Sequence, residues 1–407
     1  GGTFNTGDLT IIGTFDFQTG TLGITGAGGL TIGVSEVLGS LLSVDTGQTI
    51  SVTNTAYIDS GGSLDVLLGG TFNAGTLANG GSMVVTGDAN VANTATVDAG
   101  GSLDVLLGGT LNAGTLANGG SMVVTGDANV ANTATVDAGG SLDVLLGGTF
   151  DAGTLAIGGS MVVSGTGAAN VTNTATIDAG ASLGVQFGGS LEVTGATTNS
   201  GTVNIWNTTV DFTGGFTNSN ADLVLIDAIF NGDITNPAGS ALTVVSNVTL
   251  NGLLSGAGGI FGPGTLTING GHSPGDSAAE VPVEGNLVYG NGNTLTIELG
   301  GLLSGEFDRL VIAGDATLDG NLLIDLLNDF TPSFGNEFEI LDISGTLSGQ
   351  FLGLDEGALV DNFGGMDLFI TYTAGSGNDV SLYAVPEPAT MILLAVSGLA
   401  LLRRRNR

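Results

Sequence analysis

Cysteine and lysine are absent from the 407 residues, histidine occurs once, and charged side chains make up only 11%. The missing cysteine excludes disulfides and thiolate chemistry. With His272 alone, zinc sites built from Cys and His also lose their ligands. His-based acid–base catalysis is not the default reading either. Arg403, Arg404, Arg405 and Arg407 crowd the last five positions, so Arg309 is the one arginine in the rest of the chain. A surface this poor in cations cannot neutralise phosphates, and nucleic acid is excluded as a partner. What the chain does have is 74 glycines, 38 acidic residues for a net charge of −33, and 42% hydrophobic residues. That is too apolar for a disordered acidic tail, so the chain folds.

The segment GSLDVLLGGTFNAGTLANGGSMVVTGDANVANTATVDAG from Gly62 recurs from Gly101 and again from Gly140, and a decayed copy begins at Ala181. The period is 39, with two extra residues in the third copy, and each copy holds a weaker half-repeat. Ser63, Ser82, Ser102, Ser121, Ser141, Ser160 and Ser182 mark that half-repeat in steps of 19, 20, 19, 20, 19 and 22. A unit of about 19–20 residues, made of short Val, Leu, Thr and Met runs between Gly-Gly, Asn-Gly and Thr-Gly, has no room for helices. It predicts one coil of an all-β, right-handed parallel β-helix or β-solenoid, with coils stacked at about 4.7–4.9 Å.

Period-two alternation places Leu64, Val66 and Leu68 on one inward face, with Met83 and Val85 on the next coil, and Ser63 and Asp65 outward. Leu64, Met83, Leu103, Met122, Leu142, Met161 and Leu183 are predicted to form one core column. Asn54, Asn73, Asn93, Asn112, Asn132 and Asn173, with Asp151 substituting once, are predicted to form a second column at corners, where Asn tolerates left-handed dihedrals. The chain opens with GGTFNTGDL, matching the repeat from Gly69, so it starts inside a repeat; a cap and a secretory signal are expected upstream.

From Gly262 the texture changes. GPGTLTINGGHSPGDS leads to Gly285-Asn286-Leu287 and then to further strands through about residue 384. This order resembles the end of β-helical passenger domains in the autotransporter-like family, where a Ser-Pro-Gly-Asn-Ser turn precedes a Gly-Asn-Leu strand. The resemblance implies secretion and termination of the β-helix. It implies no activity.

The last 23 residues are sharper still. Val385, Pro386, Glu387 and Pro388 lead into fourteen uncharged residues and then Arg403, Arg404 and Arg405. Fourteen is short of the roughly 20 needed to span a bilayer, so a short hydrophobic helix with a marginal or transient span is predicted, its arginines held on the cytoplasmic side. The tail is similar to the PEP-CTERM sorting signal of exported Gram-negative proteins. That resemblance implies recognition and removal by an exosortase near Pro-Glu-Pro. The name "ice-binding protein C-terminal domain", also used for this tail, describes the tag and says nothing of ice.

Candidate chemistry is thin. Asp65, Asp104 and Asp143 recur at 39 residues, as do Asp59, Asp98, Asp137 and Asp178, giving columns with members roughly 9–10 Å apart. That reaches the separation of an inverting carboxylate pair. Identical repeats, however, give identical environments, whereas acid and base need unlike ones. A polysaccharide lyase or hydrolase is therefore the weakest alternative, and the aspartates read as a solvated face. The Gly-Gly-Ser-Leu-Asp frame departs from the calcium β-roll nonapeptide, so no cofactor is expected beyond weak, nonspecific divalent cations. Thr94, Thr96, Thr133, Thr135, Thr174 and Thr176 form a candidate ligand-facing ladder of the kind ice-binding solenoids use, although the half-repeats at Thr76 and Thr115 leave that grid half empty. His272 beside Ser273 makes no triad. Trp206 reads as core or cap, and Arg309 as the local partner of Asp308.

These observations predict a solenoid over 1–260, a terminating β-region over 261–384 and a sorting signal over 385–407. The function they suggest is a cell-surface or extracellular-matrix structural or adhesive protein and not an enzyme; an ice- or carbohydrate-binding solenoid is the alternative. Expected partners are the exosortase, exopolysaccharide or other surface components, and transiently the inner membrane.

Overall fold

The computed structural model describes residues 2–7, 18–33, 40–275 and 277–387. The hydrophobic helix expected in the tail lies outside them. Among the described residues all regular structure is β-strand, and nearly all pairing is parallel: the fold is a β-solenoid. The chain divides into two compact units, Gly1–Gly232 and Asp233–Arg407.

In the first unit, from Gln48–Ile58 to Thr149–Ile157, each coil contributes a short strand to one sheet and a longer, bent strand to another; from Ala168 the longer strand is split in two, as in Ala168–Val171 and Ala175–Ile177. Ser63–Val66, Ser82–Val85 and Ser102–Val105 stack with Ser63 on Ser82 and Ser82 on Ser102, and the serine frame continues through Ser121, Ser141, Ser160 and Ser182. The predicted Leu/Met column follows in the same register and is buried throughout. Its members interlock at one rung spacing, so apolar area leaves water continuously along the column.

The Gly-Gly pairs that close these short strands have two separate tasks. The first glycine takes a left-handed φ of 77° at Gly69, 85° at Gly108 and 89° at Gly147. A Cβ on the second would lie 2.1 Å from the Val44 carbonyl oxygen at Gly70, 2.1 Å from that of Val85 at Gly109 and 2.3 Å from that of Val124 at Gly148. One glycine therefore turns the chain and the other lets the coils approach. This corner also corrects the predicted face. The strand ends at Val66, and Leu68 is 70% exposed because the turn begins before the alternation reaches it.

The longer strands, such as Thr71–Asn79, Asp88–Val97 and Thr110–Asn118, bend where the register shifts. Ala74 pairs with Val91 and Leu77 with Ala95, so two residues on one coil face three on the next. This is a β-bulge repeated on every second rung.

In the second unit parallel rungs run from Ala241–Val244 on Gly259–Phe261 to Ala316–Leu318 on Leu347–Gly349. There the pairing sense changes. Glu337–Ile343 and Met366–Ala374 both pair antiparallel with Asp379–Pro386, and Leu359–Phe363 pairs antiparallel with Met366–Ala374.

Candidate functional site

The repeated bulge creates a groove of about 780 Å³ along the first unit, crossing seven successive rungs from Val52 to Thr172. Its floor is made of small residues. Gly75, Gly114 and Gly153 alternate with Ala92 and Ala131. A Cβ at Gly75 would lie 2.4 Å from the Thr53 carbonyl oxygen, and one at Gly114 would lie 2.5 Å from that of Asn93, so the bulge carbonyls lean over the glycines.

One wall is an asparagine ladder. Asn90 Nδ2 donates to Asn73 Oδ1 at 2.9 Å, Asn112 to Asn90 at 2.9 Å, and Asn129 to Asn112 at 3.0 Å. Asn170 continues it by donating to Asp151 Oδ1 at 2.7 Å. A primary amide has two N–H donors and two acceptor lone pairs. Asn73, Asn90 and Asn112 each use one donor and one acceptor in this way, Asn73 donating to Ser51 Oγ at 3.2 Å, which leaves a second donor and a second acceptor site on each for a ligand.

This ladder corrects the predicted column. Asn73 stacks on Asn90 and not on Asn93, because Asn93 lies within the bulge segment and has no counterpart on the coil below. Asn54, Asn93, Asn132 and Asn173 thus belong to the bulge segments, while Asn90, Asn129 and Asn170 complete the ladder. None of the ladder residues adopts a positive φ; they lie in strands, where a flat face and not a corner aligns their amides. Sequence reasoning also missed Asn79 and Asn118. Each is buried at a corner, donating to the carbonyl of Ser102 or Ser141 and accepting from the N–H of Gly81 or Gly120. The Leu-Ala-Asn-Gly-Gly run was the signal.

The candidate threonines lie on the next strand segment, facing out. Thr55 pairs with Thr76, Thr94 with Thr115 and Thr133 with Thr154, and the register continues to Thr174. This column has a threonine on every rung. The second column alternates, with Thr96 beside Ala117, Thr135 beside Ala156, and Thr176 beside Thr198. The grid is therefore fuller than half in one column and half full in the other. Thr174 is exposed and the remaining five candidates are half-buried.

Asp65, Asp104 and Asp143 alternate with Val84 and Val123 along the short strands. Partial burial raises the carboxyl pKa of Asp104 and Asp143 above the ordinary aspartate value. Leu68, Leu107 and Leu146 form an exposed corner row on every second rung, at 70%, 82% and 75% exposure. Phe187 extends it and packs against Trp206 with ring centroids 4.4 Å apart. Trp206 is 42% exposed, so it is not a core residue: its position at the end of Thr202–Trp206 falls on the outward side of the alternation.

The second unit holds the remaining candidates. His272 is buried with its Nδ1 2.8 Å from the Tyr289 hydroxyl, and burial lowers its pKa to about 3. Asp308 is buried as well and accepts the N–H groups of Ala279 and Glu298, both at 2.8 Å; burial outweighs those bonds and raises its pKa to about 7. Arg309 does not pair with Asp308. Successive residues face opposite ways, and its guanidinium meets Glu280 at 3.3 Å, Glu339 at 2.5 Å and Asp342 at 2.6 Å. No group of three or more metal-ligating side chains occurs among the described residues.

Of the sorting residues, Val385 and Pro386 end the last strand and Glu387 follows it; Pro388, Arg403, Arg404 and Arg405 lie outside the described residues. No helix among the described residues is long and apolar enough to cross a membrane.

No curated protein matches the chain. Among solved structures it is similar to the TibC-catalysed hyper-glycosylated TibA fragment, with 20% identity over 73% of this chain and 95% of that one and a TM-score of 0.34. Residues 384–407 match the PEP-CTERM protein-sorting motif. With the fourteen uncharged residues and the basic end in place behind Pro386-Glu387-Pro388, the chain carries the sorting signal of an exported protein that is membrane-anchored before processing.

Proposed function

We propose that this chain is a non-catalytic surface or matrix solenoid, released from its membrane anchor by an exosortase, that holds an uncharged exopolysaccharide along its length. The observation that carries this reading is the groove: the same amides and small residues return on successive rungs, spaced for a chain-like ligand. Each amide offers only a weak bond, and affinity arises from many such bonds to one polymer. The net charge of −33 disfavours acidic polymers and favours a saline, cation-rich exterior. The repeated aspartates support no catalytic role, since no rung differs enough from its neighbours to set an acid apart from a base.

Filling the groove tests the reading. Ala92 and Ala131 are exposed on its floor, so Ala92→Trp with Ala131→Trp adds bulk without entering the core. Retention on a neutral exopolysaccharide in affinity electrophoresis should fall roughly tenfold or more. Equal retention of wild type and variant sinks the groove. Replacing Pro386, Glu387 and Pro388 with alanine is expected to leave the tail attached, and unchanged processing would contradict the exosortase step.

The unbroken threonine column from Thr55 to Thr174 favours a second reading, ice binding. Thermal hysteresis that Thr115→Tyr abolishes would establish it, and its absence in the wild type removes it.

A further inference from the structure

The outward face of the short-strand sheet changes character at Ser182–Gln186 and Thr202–Trp206. One outward column carries Val162, Gly184 and Asn204 on successive coils, and the column beside it carries Ser164, Gln186 and Trp206. The backbone does not require glycine at 184: its φ is not left-handed, and a Cβ there would meet only Val162 Cγ2, at an ordinary 3.8 Å. Gly184 therefore leaves a notch between Val162 and Asn204. Gln186 and Asn204 border it, and neither side-chain amide has a hydrogen-bond partner among the described residues.

Phe187 stands at the corner beside Gln186. That corner position is left-handed on five successive coils, with φ of 49° at Leu146, 67° at Gly165, 52° at Phe187, 51° at Asn207 and 47° at Asp227. Glycine, asparagine and aspartate tolerate this conformation, whereas a bulky aromatic adopts it only under strain. Such strain persists where the side chain presented serves a function. The Phe187 N–H donates to the Trp206 carbonyl at 3.0 Å, the two rings pack together, and both stay exposed, at 48% and 42%. In a chain of net charge −33, this patch of Gly184, Gln186, Phe187, Asn204 and Trp206 is uncharged.

A sugar ring has the complementary chemistry. Its C–H faces pack on aromatic rings, and the hydroxyls around its edge bond to free amides. Two residues along a strand and one rung across span roughly 7 Å by 5 Å, the scale of a single ring. We propose that Phe187 and Trp206, with Gln186 and Asn204, form a subsite for one uncharged pyranose ring of a polysaccharide. The proposal rests on the preceding reading for the identity of the polymer, and it adds a stacking contact on the other sheet from the groove.

Trp206 is the single tryptophan of the chain, so its emission reports this patch alone. The released protein is titrated with the neutral exopolysaccharide fraction of the producing cells, with cellohexaose and with dextran. The expected result is a blue-shifted emission and weaker acrylamide quenching with at least one of them. Phe187→Asn, which installs the residue type already present at Asn207, should melt no lower than wild type and lower the apparent affinity about tenfold. Emission unmoved by all three probes, or moved equally in wild type and variant, overturns the subsite, while retention in affinity electrophoresis would still support the groove. A variant that melts clearly lower makes the aromatic pair structural and also overturns it. Retention that survives filling of the groove but falls in Phe187→Asn keeps the subsite and sinks the groove.

Discussion

The rungs of the 39-residue repeat and the unit that begins at Asp233 stabilise the same kind of coil in opposite ways. In the repeat, one set of residues is used over and over: leucine and methionine inside, glycine pairs at the corner, asparagine on the groove wall. In the second unit the polar groups are single and specific, as with Asp308 on two backbone N–H groups, Arg309 among three carboxylates and His272 against Tyr289. Repetition spreads stability evenly over neighbours, and unique buried groups concentrate it and make it depend on pH.

The strongest way to break this contrast is in the core column. Leu103→Ala should cost about 2–5 kcal/mol, and Leu142→Ala should cost a similar amount, to within about 1 kcal/mol, because each leucine stacks between two methionines of the same column. Denaturant unfolding of both variants measures it; clearly unequal losses would mean the rungs are not energetically alike.

The buried corner asparagines come next. Asn118→Ala leaves the Gly120 N–H and the Ser141 carbonyl without that partner and should cost about 1–3 kcal/mol. The third copy has Ile157 at the equivalent position, so Asn118→Ile should cost less than Asn118→Ala in the same measurement. The reverse order would show that the amide is irreplaceable.

The pH dependence is the finest probe. His272 has a folded pKa of about 3 against about 6.5 unfolded, so its contribution is complete above pH 6.5 and is lost as pH falls toward 3. Asp308, at about 7 against roughly 3.9, has the opposite sign: its contribution is complete below pH 3.9 and is lost as pH rises through 7. The two slopes oppose each other in the wild type. Calorimetry of Asp308→Asn should therefore show Tm falling more steeply on acidification from pH 6.5 to 4 than in the wild type. An identical slope would remove Asp308 from the account.

Much of this was legible before any coordinates. The serine frame and the Leu/Met column were readable because the same residue types recur at the same spacing, which fixes strand register directly. The asparagines were misaligned because the two half-repeats differ by one residue at the bulge, and Asn73 can be matched to Asn90 or to Asn93 with equal ease on paper. Only the pairing of Ala74 with Val91 decides it. Leu68 and Trp206 were misplaced for a related reason: period two holds only as long as the strand does, and the pattern does not say where the turn takes over. Arg309 was matched to its sequence neighbour because its true partners lie on other strands, about 30 residues away along the chain.

The exposed leucines carry one last consequence. Leu68, Leu107 and Leu146 recur on alternate coils, while the coils between them turn at the buried glycines Gly87 and Gly126, so this corner is toothed with a pitch of roughly 9–10 Å. The amide ladder, by contrast, advances one coil at a time. The molecule is thus graduated like a ruler with two scales, and a companion seated on the teeth would be placed only at every other mark.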